Sequence, residues 1–150
     1  MSFKRLLDEG KIRPHKSSQQ EIRDLFAIVE RDLKDAALKG LSADRRFATA
    51  YNAVLQAATA LMHCMGYRAI GAGHHATTFE FLRAALGKDF EEKIEYFDRC
   101  RIKRNMTDYD RAGAISEKEA NDLLKEARQF SATIREIIGR RYPRFSPTTS

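Results

Sequence analysis

An all-α fold, a helical bundle of four main helices plus a short one, follows from three observations. Apolar residues recur at three- and four-residue steps along most of the chain. No segment alternates with period two over a strand length. The eight glycines and three prolines stand mainly at the edges of the periodic stretches.

The first helix is expected to start near Ser18. Ser18 and Glu21 have the spacing of a capping box, in which each side chain satisfies an orphan amide of the first turn. Ile22, Leu25, Phe26, Val29 and Leu33 then form one apolar stripe, and Gly40 is the expected stop. Ser42 is the next N-cap. Phe47, Ala50, Tyr51, Val54, Leu55, Ala58, Leu61, Met62 and Met65 make a wider stripe, with alanines throughout from Ala48 to Ala60. Such a helix admits close neighbours and is expected to be the most buried, ending near Gly66.

Residues 66–76, GYRAIGAGHHA, read as a loop with three glycines and the doublet His74–His75. Thr77 and Glu80 suggest a second capping box opening a short helix with Phe81, Leu82 and Ala85, stopped by Gly87. Asp89 opens a further helix, with Phe90, Ile94 and Phe97 inward. Ser116 and Glu119 form a third capping box. The last stripe is Leu123, Leu124, Ala127, Phe130, Ile134, Ile137 and Ile138, ending at Gly139. The organisation expected is a basic N-terminal arm over 1–17, a bundle over 18–139 and a basic flexible tail over 140–150. Met62, Met65, Phe79 and Phe81 read as core.

The net charge is +6, but its position says more than its size. Residues 1–20 carry five basic and two acidic side chains, and residues 139–150 carry Arg140, Arg141 and Arg144 with no acid. The body between them is neutral, so a high isoelectric point alone does not indicate a nucleic-acid binder. Arg140–Arg144 with Tyr142 and Phe145 fits a solubilising tail better than a stacking surface. Two cysteines, Cys64 and Cys100, make no disulfide framework. With no apolar leader after Met1 and no stretch of membrane-span length, a cytoplasmic protein with reduced thiols and no membrane partner is expected.

The most unusual stretch is Arg99–Asp110. Arg99, Arg101, Lys103 and Arg104 are followed by Asn105, Asp108, Tyr109 and Asp110. If the helix continues, Arg101, Asn105, Asp108 and Tyr109 share one face. A solvated helix end, with cations favoured by the macrodipole and local ion pairs to the aspartates, is one reading. A phosphate site is the other. Guanidinium groups of Arg101 and Arg104 would grip phosphate oxygens, Asn105 would orient a ribose or backbone group, and Tyr109 would supply a hydroxyl.

This helix order, with an Arg-Asn pair near the end of the penultimate long helix, resembles the HEPN domain over roughly Ser18 to Gly139. The resemblance implies a compact helical bundle. Many such domains are RNA-cleaving toxins of toxin–antitoxin and phage-defence systems, often paired with a nucleotidyltransferase antitoxin. Others are catalytically silent modules that bind nucleotides, RNA or protein. The family signature is an Arg, a polar follower, a spacer and then His. Arg104 matches the Arg and Asn105 the follower, but Tyr109 stands where the signature has His, and no histidine follows His75. In the implied chemistry the Arg stabilises phosphate charge, and the His assists attack of the ribose 2′-hydroxyl on the adjacent phosphate without metal.

The resemblance therefore implies a metal-independent endoribonuclease using Arg104, Asn105 and Tyr109, or an inactive module partnering a nucleotidyltransferase. Arg99, Arg101, Lys103, Asp108, His74 and His75 are the accompanying candidates for RNA or phosphate binding. A homodimer is implied, since two protomers of the family bring their Arg motifs together. Arg68 followed by His74 or His75 also meets the letter of the signature, across the flexible AIGAG spacer. An imidazole of that doublet facing the same cleft would supply the missing His. The pairs His63–Cys64 and His74–His75 fit no standard zinc spacing, and no metal or cofactor is expected. Cys100, beside several cations, is a thiol whose pKa they would lower.

Overall fold

The computed structural model describes residues 3–110 and 113–147, with the side chains of 106–110 outside that description. In chain order the elements are α1 (Phe3–Asp8), β1 (Ile12–Pro14), α2 (Gln19–Asp35), α3 (Ala43–Cys64), β2 (Tyr67–Ala69), α4 (His74–Leu86), a 3₁₀ turn (Lys88–Phe90), α5 (Glu91–Asp110), α6 (Glu117–Arg141) and a second 3₁₀ turn (Pro143–Phe145). The fold is all-α, as the periodicity implies. The two strands form a minimal antiparallel ladder pairing Ile12 with Ala69, Arg13 with Arg68 and Pro14 with Tyr67. Three-residue strands are too short to leave a period-two signal.

Helix α3 is the axis around which the others pack, chiefly α2 and α6 along its length and α4 and α5 on a further side. Its buried residues run from Phe47 to Cys64 and include Ala50, Ala53, Ala57, Ala58 and Ala60. At 100° per residue they cover roughly 220° of its circumference, far more than the stripe of a surface helix. Small side chains at these positions let neighbouring backbones approach, while Val54, Leu61 and Met62 fill the gaps between them. Phe97 of α5 stacks towards Phe79 of α4 and meets Phe130 of α6 edge-on at 4.9 Å, joining three helices in one aromatic contact.

The remaining arc of α3 is polar and half-buried, and it meets α2. Asn52 donates to the buried carboxylate of Asp32 at 2.7 Å, and His63 donates to Glu21 at 2.6 Å. The two pairs run in opposite order along the helices, so α2 and α3 are antiparallel. Asp44, in the first turn of α3, accepts from the backbone amides of Gly113 and Ile115 and so fixes the approach to α6.

Several local expectations are corrected. Residues 3–17 are more than a charged arm. Phe3 stacks on Phe81 at 4.3 Å, and Leu6 and Ile12 are buried in the main core. Charge dominates the sequence of this segment, but its few apolar side chains all find the bundle. The tail also returns: Phe145 is buried, and Gln19 donates to the Ser146 carbonyl at 3.0 Å. Gly40 does not stop α2, which closes five residues earlier, and Gly139 does not stop α6, which runs on to Arg141. Helix α4 starts at His74 rather than Thr77. Gly73, at φ +77°, turns the chain into it, and the Thr77 hydroxyl bonds back to the Gly73 carbonyl inside the first turn. The 66–76 loop is thus shortened at both ends, by β2 and by this first turn.

Of the capping boxes, Ser116 and Glu119 form a complete one, with both bonds at 3.0 Å. Ser18 caps the Glu21 amide, but the Glu21 carboxylate turns away to His15, Ser17 and His63.

Replacing Ile12 by Ala should cost about 2–5 kcal/mol, the range for emptying a buried aliphatic site. Urea unfolding followed by circular dichroism checks this. An unchanged midpoint would mean that the N-terminal segment is not part of the core.

Candidate functional site

Helices α3, α4 and α5 converge on a polar cluster that the core does not absorb. Tyr51 sits mid-way along α3, with its ring buried among core residues. Its hydroxyl lies 3.5 Å from Nδ1 of His75, in the first turn of α4. From α5, the Arg104 guanidinium stands over the Tyr51 ring at 5.7 Å. Arg104 also donates to the neighbouring Asn105 side chain at 3.5 Å. One turn earlier on α5, Arg101 donates to Asp98 at 2.8 Å, and that pair is largely screened from solvent. His74 stays exposed and sets its ring edge-on to His75 at 4.4 Å.

Electrostatics tie these groups together. Burial pushes the His75 imidazole down to about 4, and the positive fields of His74, Arg104 and Arg101 push the same way. His75 is therefore neutral at pH 7, with a lone pair to accept a proton. Burial raises the Tyr51 phenol above its ordinary value against the opposing pull of Arg101 and Arg104. Tyr51 thus stays a neutral hydroxyl that orients His75. Two guanidinium groups, an amide and a neutral imidazole make a set that can hold a phosphodiester and accept a proton beside it.

The cationic run divides by helix geometry. Arg101 and Arg104 face α3 and α4. Arg99 and Lys103 lie on the opposite side of α5, where with Phe47, Tyr96, Cys100 and Glu119 they line a cavity of about 370 Å³ beside α6. Lys103 pairs there with Glu119, and Arg99 reaches Glu95 at 3.8 Å. Asp108 and Tyr109 lie outside the described side chains. The Cys100 thiol is not activated: burial raises it to about 11, outweighing Tyr96, Arg99 and Lys103. Burial likewise holds Cys64 up at about 12.

A family model described as SAV_6107-like HEPN matches residues 37–135. The chain belongs to the HEPN family. Neither the comparison with curated proteins nor that with solved structures gives a match. The HEPN match takes in Tyr51, His75, Arg101 and Arg104, whereas residues 1–36 of the chain lie outside it. Among the described residues, no helix is long and apolar enough to cross a membrane.

Sequence reasoning on this HEPN chain missed Tyr51, which reads as one more member of an apolar stripe. The available signal was chemical: a phenol on a deeply buried face needs a partner for its hydroxyl. It also gave His75 too small a place. The AIGAG spacer implies mobility, yet His75 belongs to a helix.

Proton NMR should place the His75 midpoint near 4, below the ordinary 6.5. The depressed midpoint means that the unfolded chain binds more protons between these values, so His75 makes stability fall as pH drops from about 6.5 to about 4. Arg104→Ala removes one positive field and should raise the midpoint part of the way, leaving the contribution of burial. An unmoved midpoint would show that Arg104 does not act on His75.

Proposed function

We propose that the chain is an RNA-directed toxin component of a bacterial toxin–antitoxin or defence module, acting as a metal-independent endoribonuclease. The observation that carries this reading is that Arg104 and a neutral imidazole, His75, both approach Tyr51 at the α3–α4–α5 junction. Tyr109 replaces the signature His in sequence, and His75 offers the missing imidazole from another helix.

Arg104, aided by Arg101, anchors the scissile phosphate, and Asn105 positions the ribose or backbone. His75 takes the proton of the 2′-hydroxyl. The 2′-oxygen bonds to phosphorus and the bond from phosphorus to the 5′-oxygen breaks. That oxygen leaves with a proton from the Tyr109 hydroxyl or the imidazolium, giving a 2′,3′-cyclic phosphate and a 5′-hydroxyl end. A phosphate between Arg101 and Arg104 offsets the arginine field that adds to burial in depressing His75. The imidazole then becomes a better base once substrate is bound. A homodimer that pairs these helices is the arrangement we propose for bringing two Arg104 motifs together.

A binding-only reading has one observation of its own: with no phosphate present, an imidazole at about 4 is a weak base. In that case the same residues hold a nucleotide or RNA without cutting it, and the partner is a nucleotidyltransferase antitoxin.

RNA cleavage by purified wild type, Arg104→Ala, His75→Gln and Tyr109→Phe tests the proposal, with circular dichroism to check folding. Arg104→Ala should lose ~10²–10³-fold and His75→Gln ~10²–10⁴-fold in rate. A comparable loss in Tyr109→Phe assigns the leaving-group proton to that hydroxyl. Equal background cleavage by all four proteins sinks the nuclease. RNA binding that still depends on Arg104 would then favour the inactive module.

A further inference from the structure

We propose that His15, Glu21 and His63 form a binding site for a zinc-class divalent metal ion, separate from the Arg104–His75 cluster. The three come from different elements. His15 follows β1, Glu21 lies in the first turn of α2, and His63 lies in the last turn of α3. Their ligand atoms all fall within 4.8 Å of one another. Nε2 of His15 stands 2.7 Å and Nδ1 of His63 2.6 Å from the same carboxylate oxygen, Oε1 of Glu21. The Ser17 hydroxyl donates to that oxygen as well, at 3.2 Å. Two imidazole nitrogens and a hydroxyl thus converge on one atom that has two lone pairs.

A metal ion resolves this crowding. Ligand atoms around a tetrahedral zinc, at ~2.0–2.1 Å from the metal, are ~3.3 Å apart. Each imidazole nitrogen needs to draw back from the carboxylate oxygen by about 0.6 Å, and the two nitrogens, within 4.8 Å of each other, need to settle about 3.3 Å apart, shifts for side-chain torsions. Two nitrogens and one carboxylate oxygen suit zinc and its neighbours, whereas magnesium and calcium take oxygen sets. The Ser17 hydroxyl then serves as the outer partner that holds the carboxylate in place.

The fold prepares the site. The ladder between β1 and β2 continues as His15 N–H donates to the Gly66 carbonyl at 2.8 Å, which holds His15 beside the end of α3. Gly66 permits this return because it turns at φ +93°, where other residues are strained. The rings of His15 and His63 lie 4.3 Å apart. A cavity of about 350 Å³, lined by His15, Ser17, His63 and Cys64 with Lys16 and Arg144 also on its wall, leads to them. It supplies entry and an open coordination position for water. The three side chains are 21%, 34% and 16% exposed, so the site is neither sealed nor fully solvated. His15 and Glu21 lie outside the residues that the HEPN model matches, so the site belongs to what this chain adds to that domain. Bound metal would fasten the N-terminal segment to the end of α3.

The full chain, stripped with chelator and titrated with Co²⁺, tests the site. One Co²⁺ per chain is expected, with the visible absorption of a low-coordinate N/O site, displaced by Zn²⁺ and unaffected by Mg²⁺. Zn²⁺ should raise the thermal midpoint. His15→Gln and His63→Gln should each weaken Zn²⁺ binding by at least ~10–100-fold, the range known for loss of even an outer partner. Arg104→Ala should bind as wild type does. Because His15 sits at the rim, His15→Gln decides the matter if His63→Gln fails to fold. No stoichiometric Co²⁺ band, or His15→Gln binding as tightly as wild type, overturns the proposal and leaves a hydrogen-bonded His–Glu–His cluster.

Discussion

The burial of α3 is the constraint on which the rest depends. A helix buried over most of its circumference needs partners on several sides, and its small residues decide how near they come. Helices α2 and α6 take two sides, and α4 and α5 a third. Every polar group that α3 carries inward must then be answered by a neighbour, because an unpaired buried polar group costs ~1–3 kcal/mol. The two clusters described above are such answers. Tyr51 is answered by His75 at the junction with α4 and α5, and His63 is answered by Glu21 of α2.

The polar arc of α3 makes the point sharper. Asn52, Gln56, Thr59 and His63 recur at helical steps and look, in sequence, like a solvated face. They are half-buried against α2, and two of them meet carboxylates there. A hydrogen-bonded seam fixes the register of two antiparallel helices more sharply than an apolar one, since sliding by a turn would strand Asp32. The seam is thus both a packing device and the origin of the His15–Glu21–His63 cluster.

The two clusters also differ in how the chain builds them. The Arg101–Arg104–His75–Tyr51 group draws only on helices within the HEPN match. The His15–Glu21–His63 group joins that body to residues before it, through a three-residue ladder and a glycine turn. In the first, burial keeps the imidazole neutral, and arginine charge pushes the same way. In the second, a carboxylate stands between two imidazoles. The same residue type meets opposite electrostatic surroundings within one small domain.

The sequence alone determined the all-α class, the stripes of α2, α3 and α6, the complete Ser116–Glu119 capping box and the Arg104–Asn105 pair. Each is a local pattern, readable at a spacing of three or four residues. Only the tertiary structure decided that Leu6, Ile12 and Phe145 join the core, since isolated apolar residues among charges have no periodicity to read. It alone divided Arg101 and Arg104 from Arg99 and Lys103, because which side of α5 faces α3 depends on packing and not on composition. It alone set His75 against Tyr51, and His15 and His63 against Glu21. Such meetings join residues far apart in the chain, and no spacing along a sequence encodes where two helices touch.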